Sequence, residues 1–173
     1  MKFIVGFVVA IVAIIVTAAL MIVTGIYNVA ATVPHTALER TILATVMFYS
    51  VRSHAGSDVD KSWNEDQIRL GFEEYDAMCI HCHGAPGKEA SEIGKGLRPA
   101  PPNLAETGQR WNNAELFWIV KNGIRMSGMP AFAPMHTDDT LWNIVGFVRD
   151  LPRLSAEDYR GMQQPKEPHE HHH

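Results

Sequence analysis

The chain has little cysteine and no sign of β-structure. Only two of its 173 residues are cysteine, so a disulfide framework is excluded beyond one local bridge. No segment alternates polar and apolar residues with the period of two expected of a strand, and no internal repeat is visible. These absences exclude a disulfide-stapled scaffold, an all-β fold and a repeat array, and they predict an all-α protein.

Charged residues are missing between Phe3 and Tyr27. As a helix this apolar run would reach about 37 Å, more than the roughly 30 Å hydrocarbon core of a bilayer. A cleaved signal peptide is the alternative, with a shorter apolar region of about 7–15 residues and Val29-Ala30-Ala31 as its small-residue cleavage site. The length favours a retained single-pass anchor, and both interpretations export the rest of the chain.

The chain has too few basic residues for a nucleic-acid-binding protein. From Asp58 to the end, 12 Lys and Arg stand against 18 Asp and Glu, a formal charge of −6. An acidic surface can steer a basic partner, although solubility is the simpler explanation, so charge alone predicts no partner. Around the apolar run, Lys2 precedes it and Arg40 and Arg52 follow it, so the positive-inside rule orients the anchor only weakly.

A second helix with few polar positions is predicted at Thr36–Val51. Its longest uncharged stretch, 41–51, has 11 residues, too few to cross a bilayer as a helix. We expect it to lie along the membrane or on another protein, with packing on its own domain as the alternative. The Gly-, Ser- and Asp-rich segment 54–62 then marks a boundary.

These features divide the chain into four parts. They are a transmembrane anchor or uncleaved signal (1–30), a connecting helix and linker (31–62), a soluble domain (63–154) and a polar tail expected to be disordered (155–173). In the soluble domain, helices are expected to start at Ser62 or Asn64, at Asn112 or Asn113, and at Thr137. The Pro- and Gly-rich stretch 84–108 predicts loop. The His-rich end 169–173 is interpreted as an expression remnant or a disordered end, and it is a weak metal-binding tract at best.

The strongest chemical signal is Cys79-Ile80-His81-Cys82-His83, the Cys-x-x-Cys-His pattern of c-type haem attachment. On a helix, positions i, i+3 and i+4 share one face, so both thiols and the second imidazole can meet one planar ring. Cys79 and Cys82 would form thioethers with the haem vinyl groups, and His83 would bind the iron. One motif predicts one haem c.

Two other interpretations of the cysteine pair are weaker. A thioredoxin-like redox pair requires a surrounding βαβ pattern, which is absent. A structural zinc site requires four ligands, usually from a second Cys or His pair, and the sequence has no second Cys pair.

An electron carrier needs a second axial ligand, and a thioether sulfur there raises the reduction potential. Met129 is favoured, because Gly128 and Pro130 flank it in a tight turn. The alternatives are Met126 and Met135, followed by three lower-ranked histidines, His136, His54 and His35. Phe132, Trp118 and Leu104 are predicted pocket walls, although ordinary core packing explains them equally well.

Over roughly residues 64–153 the sequence resembles class I cytochromes c of the bacterial kind. The segment GFEEYDAMCIHCHG, with Gly71 and Tyr75, is similar to the family's first helix, and Met129-Pro130-Ala131-Phe132 is similar to its distal ligand motif. RPAPPNL, Arg98–Leu104, is similar to the loop that in the family supplies a backbone carbonyl to the proximal imidazole. LWNIVGFVRDL resembles its C-terminal helix, with Phe147 placed to pack at Gly71.

The resemblance implies an all-α cytochrome c domain with one haem c, His83 and Met129 as iron ligands, and electron transfer instead of enzymatic catalysis. Residues 1–63 lie outside it, which suggests a tethered carrier or a subunit of a respiratory complex. The expected setting is a bacterial inner membrane with the haem domain on the periplasmic side and redox proteins as partners, without nucleic acid or a small-molecule substrate.

Two alternatives remain from the sequence. One is a haem enzyme or gas-binding sensor with an absent or labile distal ligand. The other is a docking subunit that uses the helix at 36–51 to hold a complex together.

Overall fold

Helices account for all the regular secondary structure in residues 2–164, the part of the chain that the computed structural model describes. The only β-type pairing there is an isolated bridge between Ala85 and Lys88, so the all-α prediction is confirmed. The α-helices are α1 (Lys2–Thr24), α2 (Ala37–His54), α3 (Glu65–Glu74), α4 (Ile80–His83), α5 (Glu92–Gly96), α6 (Leu104–Thr107), α7 (Asn113–Asn122), α8 (Asp138–Asp150) and α9 (Ala156–Met162). A π-helical turn covers Tyr75–Cys79, and 3₁₀ turns cover Gly108–Arg110 and Leu151–Arg153.

The chain divides into two compact units at residue 34. The first contains α1, which has no buried residue and is long and apolar enough to cross a membrane. Its 23 residues would extend about 34 Å at 1.5 Å per residue. The helix begins and ends close to the predicted apolar run.

Local capping sets the start of most helices in the second unit. Thr36 caps α2, and Asn64, Asn112 and Thr137 cap α3, α7 and α8. In α2, α3 and α7 the third residue of the helix returns a hydrogen bond to the cap backbone. Each of these caps satisfies backbone N–H groups that a helix leaves unpaired, so the helices begin at these residues. The predicted helix starts are confirmed.

The core lies where α3 crosses α8. A Cβ added to Gly71 would stand 2.0 Å from the backbone oxygen of Asn143 and 3.0 Å from the Cβ of Phe147, so only glycine permits this approach. Phe72 and Tyr75 pack their rings on Phe147, at centroid distances of 5.5 and 5.1 Å. The predicted contact between Phe147 and the first domain helix is confirmed.

The connecting helix α2 packs on its own domain near its C-terminal end. Val51 is buried, and Phe48 lies against the ring of Trp111. Arg52 Nε lies 3.3 Å from an oxygen of the buried Glu115 carboxylate. The sequence left this packing open as an alternative to a membrane or protein contact, and this end of the helix adopts it.

The structure corrects the prediction that the polar tail is disordered. Instead of disorder, α9 follows an N-cap at Ser155, whose side chain accepts from Asp158 N. Its Tyr159 is fully buried and donates a hydrogen bond of 2.9 Å to Asp76 Oδ1. The disorder prediction is therefore wrong over α9, because one buried tyrosine stabilises a helix that is polar elsewhere. The histidine-rich end at 169–173 lies outside the described residues.

Candidate haem-attachment site

The cysteine pair lies where α3 continues through the π turn into α4. Cys79 ends the π turn, and Cys82 and His83 lie in α4. Both cysteines are free thiols, partly buried. Burial, then the charges of Cys82 and Glu74, raises the pKa of the Cys79 thiol to about 12.

The raised pKa of the Cys79 thiol argues against a redox-active cysteine pair. A dithiol that exchanges with disulfides needs a thiolate, and therefore a lowered thiol pKa at its attacking cysteine. The Cys79 thiol is shifted the opposite way. Together with the absence of strands in residues 2–164, this argues against a thioredoxin-like pair.

The zinc interpretation also lacks ligands. Within residues 2–164, no group of three or more His, Cys, Asp or Glu side chains could hold a metal ion. A structural zinc ion requires four such ligands. The two thiols and the neighbouring imidazole instead match the donor set that holds a covalently bound haem.

The imidazole of His83 is oriented by the Pro-rich loop. Its Nδ1 lies 2.8 Å from the carbonyl oxygen of Pro102. Since a carbonyl can only accept, Nδ1 carries the proton and Nε2 keeps its lone pair free to bind a metal. Burial also lowers the pKa of His83, which favours this neutral form. The carbonyl that the resemblance placed in Arg98–Leu104 belongs to Pro102.

The methionine loop, residues 124–136, closes on itself after α7. Ile124 N donates to Met129 O over 3.3 Å, and the Ser127 hydroxyl accepts from Met129 N over 3.2 Å. Gly123 has φ +66, and a Cβ there would lie 2.6 Å from Pro130 backbone atoms. The turn therefore requires glycine, and it brings the start of the loop against the segment that carries Met129.

Exposure separates the three methionines of this loop. The side chains of Met126 and Met135 are 74% and 84% exposed, whereas Met129 is partly buried. Two of the lower-ranked histidines have protein partners. His54 Nδ1 lies 2.8 Å from Ser50 O, and His136 Nε2 lies 3.6 Å from a Glu74 carboxylate oxygen.

The predicted pocket walls fall into two groups. Leu104 and Phe132 are partly buried against the hydrophobic core. Trp118 lies instead beside the ring of His54, at a centroid distance of 5.9 Å. A wall role for Leu104 and Phe132 and a core role remain equally compatible with this placement.

Two residues outside the predicted site fix its backbone. The Tyr75 hydroxyl donates to Gly84 O over 2.7 Å, directly after α4. The Ser91 hydroxyl donates to His81 O over 2.7 Å, and Ser91 also caps α5. Sequence reasoning missed both hydrogen bonds. Ser91 carries an N-cap signal that reveals the helix start, but no local pattern reveals its bond to His81.

The fold and the site together are those of a class I c-type cytochrome domain, a family that implies covalently bound haem c and supports electron transfer. More narrowly, residues 66–148 are a cytochrome c domain of the cbb3 type, since they match the family model described as "Cytochrome C oxidase, cbb3-type, subunit III". The match covers just under half of the chain and does not reach α1 or α2. No curated protein matches the chain. With only Cys79 and Cys82 available, the domain is consistent with one haem.

Proposed function

We propose that this chain is a membrane-tethered one-electron relay, or the electron-carrying subunit of a respiratory complex. Its haem c would be attached through Cys79 and Cys82, with His83 and Met129 as axial ligands. The anchor would be α1 in a bacterial inner membrane, with the haem domain on the periplasmic side and redox proteins as partners.

The hydrogen bond from His83 Nδ1 to Pro102 O carries this proposal. An imidazole held by a carbonyl on one nitrogen keeps one tautomer and one ring orientation, so the other nitrogen is prepared to bind iron. His83 also follows directly after a thiol that can hold the same haem.

Met129 is supported as the distal ligand by its burial and by its loop. Thioether sulfur must lie out of water to remain on the iron, and the two competing methionines of the loop are mostly exposed. The Ser127 hydroxyl and the Ile124 amide hold the Met129 backbone from both sides.

Haem c supplies a one-electron iron couple when it is bound. The residues of the chain determine how that couple behaves. Met129 would occupy the site where a gas or substrate would otherwise bind, and partly buried apolar side chains such as Leu104 and Phe132 would exclude water. Low local polarity favours the less charged, reduced state and therefore raises the potential.

The test is the absorption spectrum of the oxidised and reduced protein, with Met129→Ala beside the unmodified chain. The unmodified protein should have the weak far-red sulfur-to-iron charge-transfer band of Met/His ligation. Met129→Ala should lose this band and keep its haem, because the thioethers and His83 remain. Carbon monoxide should leave the spectrum of the reduced unmodified protein unchanged at neutral pH and alter that of the variant.

Met126→Ala and Met135→Ala are the matched controls, because they remove the same side chain from the same loop at exposed positions. Both should retain the band. If the unmodified protein lacks the band and binds carbon monoxide, the relay proposal fails in favour of a haem enzyme or gas sensor. If Met129→Ala retains the band, another residue is the ligand.

A further inference from the structure

Helix α2 presents an apolar stripe that its own domain leaves uncovered. The four side chains of the stripe are between 52% and 69% exposed: Leu38, Ile42, Val46 and Tyr49. Their spacings of four, four and three residues place them on one face of a helix. Large apolar side chains gathered on one exposed face indicate an interaction surface more than scattered ones do.

A different side of the same helix is already used for packing. Val51 is buried, the ring of Phe48 lies 5.7 Å from that of Trp111, and Arg52 contacts Glu115. Contacts between α2 and α7 therefore fix the helix on the domain. The stripe is held in a set direction and is not an unfolded remnant of the linker.

The charge of α2 distinguishes it from the other helices of its unit. It contains Arg40 and Arg52 against one acidic residue, Glu39. The remaining described helices from α3 to α9 are each neutral or acidic by formal charge. Because Arg52 is paired with Glu115, and Arg40 and Glu39 balance each other, α2 has no excess of negative charge. Its apolar face can therefore approach an anionic bilayer without the repulsion that the acidic helices would meet.

The chain also keeps this helix close to a membrane if α1 is inserted. Twelve residues, 25–36, separate the end of α1 from the start of α2. Even fully extended, they span at most about 43 Å. The tether therefore keeps the stripe at a high effective concentration near the membrane surface. This offsets much of the entropic cost of binding to lipid.

We propose that the stripe of α2 lies in the lipid headgroup region and holds the haem domain at the membrane surface. This inference rests on the proposed anchoring by α1 and is independent of which residue binds the iron. The domain would then be a surface-docked carrier and not one that swings freely on a flexible tether.

Photocrosslinking from single introduced cysteines tests the proposal. Full-length holoprotein is reconstituted in vesicles of equal parts phosphatidylcholine and phosphatidylglycerol, and the vesicles are recovered by flotation. Ile42→Cys and Val46→Cys are each labelled with a benzophenone maleimide. The label reacts only at the introduced cysteine, because haem attachment consumes both native thiols. The control is Glu157→Cys on α9, an exposed position outside the stripe.

The labels at 42 and 46 should form lipid adducts several-fold more often than the label at 157. Equal, low lipid adducts at all three positions would place the stripe in water and overturn the proposal. Crosslinks between two chains in place of lipid adducts would assign the stripe to a second copy, which also overturns it. The Met129 spectra test iron ligation separately, so failure of one proposal does not imply failure of the other.

Discussion

At the scale of single residues, Gly71 decides how closely α3 and α8 can approach. The space beside its Cα is filled by the Asn143 carbonyl, at 2.0 Å from an added Cβ. Backbone atoms cannot move aside as the end of a flexible side chain can. A methyl group there must push two core helices apart, and the segment with Cys79 and Cys82 follows directly from α3.

Gly71→Ala should therefore destabilise the holoprotein by about 3 kcal/mol, at the upper end of the usual overpacking cost. Gly161→Ala in α9 is the matched control, since nothing lies within 4 Å of its added Cβ. There the better helix propensity of alanine should stabilise by about 0.5–1 kcal/mol. Denaturant titrations of both variants measure these free energies of unfolding, and equal values would refute the close-contact explanation.

At the scale of elements, α9 shows how a polar sequence can form an ordered helix. The carboxylate of Asp76 accepts hydrogen bonds from Tyr159 and from Gln163 Nε2, the latter at 2.8 Å. The ring of Tyr159 also packs edge-on against Phe72, 5.3 Å between centroids. Burial first, then the hydrogen bond to Asp76, raises the pKa of the Tyr159 phenol above its ordinary value of 10.0.

This shift predicts a loss of stability in alkali. Above about pH 10 the unfolded chain releases the Tyr159 proton while the folded chain retains it, so the free energy of unfolding falls as the pH rises. Tyr159→Phe should cost about 1–2 kcal/mol at neutral pH through the lost hydrogen bond. It should also reduce the decline above pH 10. Denaturant titrations by circular dichroism between pH 7 and about pH 11 measure both effects.

The control for this pH dependence is Gln163→Ala. It removes the other donor to Asp76 but keeps the phenol, so it should lower stability at neutral pH and leave the alkaline decline intact. A Tyr159→Phe profile that runs parallel to that of the unmodified protein would exclude the phenol as its source.

At the scale of the whole molecule, an apolar helix and a cytochrome c domain are joined by a short link. If α1 is retained in a bilayer, the full chain should stay in the membrane fraction after high salt and alkaline carbonate and be released only by detergent. Ile11→Lys with Ile15→Lys should shift it towards the soluble fraction, since each central lysine costs about 2.5–3.5 kcal/mol in a membrane.

Ile11→Leu with Ile15→Leu is the matched control and should remain in the membrane. Haem staining of the fractions after gel electrophoresis locates the protein. Release of the unmodified protein by carbonate alone would contradict the anchor, whereas protease added to spheroplasts tests the periplasmic orientation of the domain.

The sequence by itself determined the features that depend on neighbours in the chain. The apolar run that forms α1, the caps at Asn64, Asn112 and Thr137, and the haem-attachment motif all follow from residues within a few positions of each other. Such patterns are governed by helix geometry and local hydrogen bonding, so a single sequence is sufficient to predict them.

Only the tertiary structure decided the features that join distant residues. It made Pro102 the acceptor for His83, brought α9 onto Asp76 through Tyr159, and gave α2 one packed side and one exposed stripe. The bond between Tyr159 and Asp76 joins residues 83 positions apart. Burial and partner choice at that range depend on how the helices pack in space, which local periodicity and capping do not encode.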